Sequence, residues 1–552
     1  MHQPDYRDRA SGEYVQPWTY LHAIKDYVDM AGHLESVPGA RAVVNFSPIL
    51  IEQLQDYARQ TRAAVDDGDS ITDPLLDALR VLPGRDARAA RRMLVERCLR
   101  SNRKRLIERF PGYRRLVDLA AVIRRDPDAI EYLDDAFLAD LLVWYHLAWI
   151  GETERRANSW LQMLADKRHG YTAGDRRLLL AYLAGLLGAL IERYRALAAD
   201  RRVELSITPY AHPMLPLLID WGVARESEPD APLPSGVYRD GEIRARRHLE
   251  RAVEVFERAF GARPRGCWPS EGGLSTATVG LLGESGFEWT ASGEGVLRGS
   301  LELCGDPAAR DPDATRRVYR VDGHAPACFF RDDGLSDLIG FTFSDWHADD
   351  AVGHLIHEFE QIAARLPDPG HCVVPIILDG ENAWEHYPEN AYYFLHGLYQ
   401  RLTEHPGLEL STFADCVDQT LPSTSLPALR AGSWVYGNFS TWIGSTDKNR
   451  GWALLAAAAE AYAEARDAGR LEAERLAAAE RQLAVCEGSD WFWWLGDYNP
   501  AESVRDFERL FRHHLAQLYA LLDLPAPAAL GEVLSHGRGA PATGGVMRRG
   551  SE

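Results

Sequence analysis

From Val203 onward the chain repeatedly places a short, mostly apolar and often β-branched run between longer stretches of helical periodicity. This alternation constrains the fold more than any other feature, because parallel strands need long crossovers, usually helices, whereas antiparallel strands can be joined by two-residue turns. The strand-like runs are Val203–Thr208, Gly266–Trp268, Phe287–Ala291, Val318–Val321, Val373–Leu378 and Leu408–Ser411. An earlier one, Ala42–Phe46, is closed by Ser47-Pro48 and feeds a helix containing Ile51, Leu54 and Tyr57. The pattern predicts an α/β fold on a parallel sheet or barrel, in which sites gather at the carboxyl ends of strands.

Residues 74–200 carry leucines and alanines at helical spacing with Arg-rich polar faces, and read as a helical insertion. The basic run Arg91–Arg109 is read as a solvated helix face. Residues 421–432, rich in Pro, Ser and Ala, divide the chain into a β/α region at 1–420 and a helical region at 433–524. Residues 525–552, rich in Pro, Ala and Gly, are expected to be disordered.

The balance of 81 acidic against 61 basic residues, a formal charge of -20, opposes a polyanionic partner and excludes nucleic acid as the expected ligand. Seven scattered cysteines without C-x-x-C spacing signal neither a disulfide framework nor a zinc ribbon. The longest apolar stretch, Leu138–Ile150, is interrupted by Asp140 and His146 and falls short of the roughly 20 residues a membrane span needs. No basic and apolar leader precedes Met1-His2-Gln3-Pro4. A cytoplasmic protein without a membrane partner is expected; oligomeric state is left open.

Two carboxylates stand where the strand pattern predicts a site. Glu271 lies in the Gly/Pro-rich segment Trp268-Pro269-Ser270-Glu271-Gly272-Gly273, and Asp379 ends the apolar run Val374-Pro375-Ile376-Ile377-Leu378. Two carboxylates on one sugar are what glycoside hydrolysis requires, one to protonate the leaving oxygen and one to attack or to activate water. Trp268, Trp384 and the cluster Asp490-Trp491-Phe492-Trp493-Trp494 set indoles beside acids, and apolar sugar faces stack on such rings.

Read in order, the segments His2-Gln3-Pro4, Val203 to Pro213, the two carboxylate segments and Asp490 to Asp497 resemble the five characteristic regions of glycoside hydrolase family 57. The runs Leu378-Asp379-Gly380-Glu381-Asn382-Ala383-Trp384-Glu385 and Trp434 to Gly444 look most like its amylopullulanase branch. The resemblance implies an incomplete (β/α)7 barrel with helical insertions, followed by an α-helical C-terminal domain that helps close the site. It implies a retaining hydrolase of α-glucans that needs neither metal nor organic cofactor. By position, Glu271 matches the nucleophile and Asp379 the acid/base; His2, Glu204, His212, Trp268, Glu381, Trp384, Asp490 and Trp491 match positions near the bound sugar. Asp379 must then hold a proton at working pH, which burial or a neighbouring carboxylate, Glu381 or Glu385, would favour.

The chain departs from the family at its start, where an apolar strand usually runs into His-Gln-Pro and here only Met1 precedes it. Either the start lies inside the motif or the sheet keeps an open edge, with poor stability as the expected result. Three other functions compete. A 4-α-glucanotransferase or branching enzyme would use the same carboxylates. A zinc-dependent carbohydrate enzyme would need ligands such as His354 with His357, or His513 with His514. A glucan-binding protein would keep the cleft without turnover.

Overall fold

The computed structural model describes residues 1–539. Seven short runs pair as β1 (Ala42–Phe46), β2 (Val203–Ile207), β3 (Gly266–Cys267), β4 (Trp289–Ser292), β5 (Val318–Val321), β6 (Ala327–Phe330) and β7 (Ser423–Leu426). They form one sheet in the order β1-β2-β3-β4-β6-β5-β7, parallel except for the β5–β6 pair. β6 and β7 are strands that the sequence pattern did not single out: Pro326 stands just before β6 and hides its run, and β7 lies in the Pro/Ser/Ala-rich stretch 421–432 expected to divide the chain, which is corrected to part of the sheet. The turn before β6 uses Gly323 at φ 81°, a left-handed position that suits glycine.

Helices follow the strands. α1 (Pro48–Asp66) starts with Pro48 at its first position, where no N–H is needed. Residues 74–199 are a series of helices including α2 (Asp135–Trp149) and α3 (Ala173–Ala199), the latter opened by a capping box between Thr172 and Asp175. α4 (Gly241–Phe260) buries Ala245, Leu249, Ala252, Val253, Phe256 and Phe260 at helical spacing, and Gly261 at φ 75° ends it. α5 (Ala348–Arg365) and α6 (Tyr392–Glu404) pack together. α7 (Thr446–Asp467), α8 (Ala473–Cys486), the short α9 (Ser489–Trp494) and α10 (Ala501–Leu521) make the helical C-terminal part. No described helix is long and apolar enough to cross a membrane.

Two expected strands do not form. Val373–Leu378 and Leu408–Ser411 run without a strand partner. Pro375 has no N–H, and along 373–378 the polar groups go to loops: Val373 N–H donates to Arg316 O (3.1 Å), Asp332 N–H to Pro375 O (2.8 Å) and Arg331 Nε to Ile377 O (2.8 Å). The other flank of both segments faces a cavity rather than a strand. Across it lies the outer edge of β1, which carries one rung: Met1 N donates to Asn45 O (2.9 Å), and Ser47 N–H donates to Met1 O (3.0 Å). Met1 therefore sits opposite Phe46 as a parallel strand residue would.

The expected disorder from residue 525 is corrected over 525–539. Leu530 and Leu534 are buried, Leu534 N–H donates to Glu508 Oε1 (2.7 Å), and Gly539 N–H donates to Asn499 O (3.0 Å). Two apolar side chains and these backbone bonds suffice to seat a Pro/Ala-rich segment on α10. Residues 540–552 lie outside the described residues.

Candidate active site

The carboxyl ends of β2 and β3 deliver His212 and Glu271 to one end of the sheet. β3 stops at Cys267, and Trp268-Pro269 leads into one short turn in which Glu271 takes φ 57° and ψ 25°. His212 also has positive φ, 60°. Such geometry costs a non-glycine residue on the order of 1–2 kcal/mol and is held only where the surroundings over-determine it. At Glu271 they do so on three sides. Trp434 donates twice to it, from its backbone N–H to Glu271 O (3.1 Å) and from Nε1 to Glu271 Oε2 (3.1 Å). Gly272 leaves so little room that a Cβ there would come within 2.9 Å of the Trp268 ring.

The other oxygen of Glu271 faces two histidines, with His2 Nε2 and His212 Nδ1 each 3.9 Å from Oε1. The two imidazoles stack with centroids 4.0 Å apart and planes 8° from parallel. Asp490, on α9, caps them: Oδ1 is 3.4 Å from His2 Nε2 and Oδ2 is 3.7 Å from His212 Nδ1. The neighbouring Ser489 Oγ shares a 2.8 Å hydrogen bond with His212 Nδ1. Glu381 is buried and holds the chain start, accepting from His2 N–H (3.0 Å) and Gln3 Nε2 (3.3 Å). Asp379 is half-buried and accepts from Asn382 Nδ2 at Oδ2 (2.8 Å).

His2, His212, Trp268, Glu271, Asp379, Trp384 and Trp434 line one cavity of about 810 Å³. Its polar mouth carries these groups. The rest runs between β1 and residues 372–378, against Leu355, Phe359 and Ile362 of α5 and Leu395, Leu398 and Leu402 of α6. Trp384 Nε1 is buried without a hydrogen-bond partner.

Burial sets the charges. It pushes the Glu271 carboxyl up to about 8; the cation on His2 and the Trp434 N–H oppose the rise, while the charges of Asp379 and Asp490 add to it. Burial alone would lower His2, but Asp490, Glu381 and Asp379 outweigh it and bring the imidazole up to about 10. His212 is held well below the ordinary histidine value by burial and by the His2 cation. The site thus pairs a cationic with a neutral imidazole beside a carboxyl that releases its proton late.

Three expectations need correction. Glu204 lies on β2 two residues before Ser206, so it shares that residue's face but sits deeper; its carboxylate accepts from Trp289 Nε1 (2.6 Å) and Ala414 N–H (2.9 Å) rather than meeting the cavity. Trp491 is buried in the helical core, donating from Nε1 to Val485 O (2.7 Å) and stacking on Phe511. The carboxylates expected beside Asp379 are engaged elsewhere, Glu381 with the chain start and Glu385 with Lys25 Nζ at 4.0 Å, and the charge of Asp379 acts instead on Glu271. Trp434 is a functional residue that sequence reasoning misses, because its contact with Glu271 spans 163 residues, which no local pattern reveals.

Among the described residues, His2, His212 and Asp490 bring three potential ligand atoms within 4.8 Å. Their stacked rings keep the nitrogen lone pairs in parallel planes, which do not converge on one ion as ligands of a tetrahedral site do. His354 and His357 lie on α5 beside Glu358 (3.8 Å) and Glu360 (3.9 Å), and neither lines the cavity.

A family model described as glycosyl hydrolase family 57 matches residues 1–428. The chain belongs to glycosyl hydrolase family 57. No curated protein sequence matches it. Among solved structures, this family-57 chain is similar to an α-amylase, AmyC, from Thermotoga maritima (14% identity, 95% of this chain and 91% of that one, TM-score 0.56). It is also similar to family-57 branching enzymes from Thermococcus kodakaraensis (16% identity, 94% and 88%, 0.54) and Pyrococcus horikoshii (16%, 100% and 98%, 0.54). At these identities the likeness concerns the fold, an incomplete (β/α)7 barrel with a helical C-terminal part.

Proposed function

We propose that the protein is a retaining glycoside hydrolase of α-glucosidic bonds, with Glu271 as nucleophile and Asp379 as acid/base. The observation that carries this reading is that both carboxylates face one cavity beside His2 and His212 in a family-57 chain. Asp379 donates a proton to the glycosidic oxygen while Glu271 attacks the anomeric carbon, and the aglycone leaves as an alcohol. Asp379 then takes a proton from water, whose oxygen displaces Glu271 from the glycosyl-enzyme with net retention. His2, as a cation, favours the ionised nucleophile. Trp268 and Trp384 offer the sugar indole surface.

The test is incubation with maltooligosaccharides and with pullulan, following reducing ends and chain lengths together. New reducing ends are expected. Redistributed lengths at constant reducing ends would assign the protein to glucan transfer or branching, as the names of the two branching enzymes suggest. Binding without either change would make it a glucan-binding protein.

Asp379→Asn is expected to cut turnover of unactivated glucans by about 10²–10⁴, the usual range for general acid–base catalysis. With an aryl glucoside whose leaving group needs no proton, glycosylation is expected to recover, leaving deglycosylation limiting. Equal losses in kcat/KM, which reports glycosylation, on both substrates would remove Asp379 from this role.

A second expectation concerns pH. The nucleophile works ionised, and Glu271 is raised to about 8, so kcat/KM is expected to fall as pH drops through that value rather than near the ordinary carboxylate range. Trp434→Phe removes a hydrogen bond that favours the ionised form, so it is expected to move this acid limb to higher pH. An acid limb near 4.5 in both proteins would show that burial does not raise the Glu271 carboxyl in the working enzyme.

A further inference from the structure

Below the catalytic mouth lies a buried ionic cluster that the proposed chemistry does not use. Glu487, between α8 and α9, is fully buried. Its Oε1 accepts from Tyr238 Oη (2.6 Å) and Arg244 Nε (2.8 Å). Its Oε2 accepts from Arg244 Nη2 (2.7 Å) and pairs with His248 Nε2 (2.7 Å). Arg244 and His248 stand one helical turn apart on α4 and are both buried. Arg244 and His248 hold the Glu487 carboxyl at about 2, although burial pulls it upward. Burying three such groups is costly, and their pairing fixes geometry more than it adds stability.

The cluster reaches two turns that carry site residues. On one side Glu487 precedes Gly488, Ser489 and Asp490. On the other, His248 Nδ1 accepts from Ala211 N–H (3.4 Å), and His248 O accepts from Tyr210 N–H (3.2 Å), directly before His212. The turns meet at the Pro213–Gly488 bridge, and Ser489 N–H donates to His212 O (2.8 Å). Because Ala211 donates to Nδ1, His248 must carry its proton on Nε2, and only an acceptor can face it there. Glu487 supplies that acceptor and so fixes the tautomer that holds the 209–213 turn.

We propose that Glu487 is a positioning residue that sets the His212–Asp490 wall of the site by locking the tautomer of His248 and tying both turns to α4. This deepens the glycoside hydrolase reading and rests on it. Loss of the carboxylate charge is transmitted along defined bonds. In Glu487→Gln one of the two carboxylate oxygens becomes a donor, which meets an Arg244 N–H at either position and the His248 N–H as well at Oε2. Facing His248, it drives the ring to the Nδ1–H tautomer, whose proton then opposes Ala211 N–H and displaces the turn beside His212.

The test compares Glu487→Gln and His248→Gln with Glu480→Gln. Glu480 also lies near Arg244 (3.5 Å) but touches neither turn, so its variant is expected to keep wild-type kcat. Both clamp variants are expected to lose about 10- to 100-fold in kcat with little change in KM, the scale of an ångström of misplacement. Their kcat/KM acid limb is expected to shift, because His2, His212 and Asp490 surround Glu271. Titration of the His2 and His212 imidazoles by ¹⁵N NMR reads the same displacement without substrate. It therefore still decides the matter if the chain proves not to hydrolyse glucans. Imidazole titrations and, in an active enzyme, a pH profile unchanged from wild type in His248→Gln would overturn the proposal, even if the melting temperature fell. That variant also serves where Glu487→Gln fails to fold.

Discussion

Glu271→Gln is expected to reduce kcat on maltooligosaccharides by at least about 10³-fold, equivalent to roughly 4 kcal/mol of barrier, while the protein stays folded. The amide keeps the side chain's volume and can still accept from Trp434 Nε1, so the left-handed turn at 271 keeps its anchors. It cannot form the glycosyl ester. Stability should move the other way. The native carboxyl at about 8 keeps a proton that an unfolded one, ordinarily near 4.5, has released. Native stability therefore falls as pH rises across that interval, and the neutral amide escapes this loss. A thermal melt at pH 9 should place the variant at or above wild type. Activity within a few-fold of wild type would dismiss Glu271 as nucleophile. Lost activity with a collapsed melt would mean that the residue serves the fold.

The sequence revealed the site better than the sheet. Glu271 and Asp379 announce themselves because they follow apolar runs in short turn segments, where a side chain has little else to do, whereas His2 and His212 were pointed to only by the family resemblance. The structure brings all four to one cavity. Trp434 gives no such signal, since its importance lies in a tertiary contact with Glu271. Glu204 and Trp491 misled for opposite reasons. A charged residue on a buried strand is satisfied by an indole and a backbone N–H across the barrel, and one Trp of an aromatic cluster is claimed by helix packing. Apolar character likewise predicts burial more securely than pairing. Val373–Leu378 has the composition of a central strand, yet it lacks the neighbour that would make it one.

An apolar strand of four residues fused ahead of Met1 is expected to raise the midpoint of thermal unfolding by about 2–3 °C. Met1 already makes a parallel rung opposite Phe46, so a residue two places before it would stand opposite Val44 and one four places before it opposite Ala42. Both faces of that path are apolar, with Val374, Ile376 and Leu378 joining α5 and α6 on one side and Val43, Val373 and Ile377 on the other. Burying an aliphatic side chain contributes about 1.5–3 kcal/mol, and ordering its backbone costs about 1–2. Four residues and their ladder bonds leave a net gain of about 2–4 kcal/mol, and in a chain this large each kcal/mol shifts the midpoint by a little under about 1 °C. The fusion also converts the charged amino group of Met1 into an amide, removing one of the cations that depress His212. A Gly-Ser extension of equal length is the control, because it makes the same amide but fills nothing. Equal midpoints for the two fusions would mean that the channel beside β1 does not accept a strand. A rise confined to the apolar fusion, accompanied by higher kcat, would tie the order of the His2 segment to the filling of that channel.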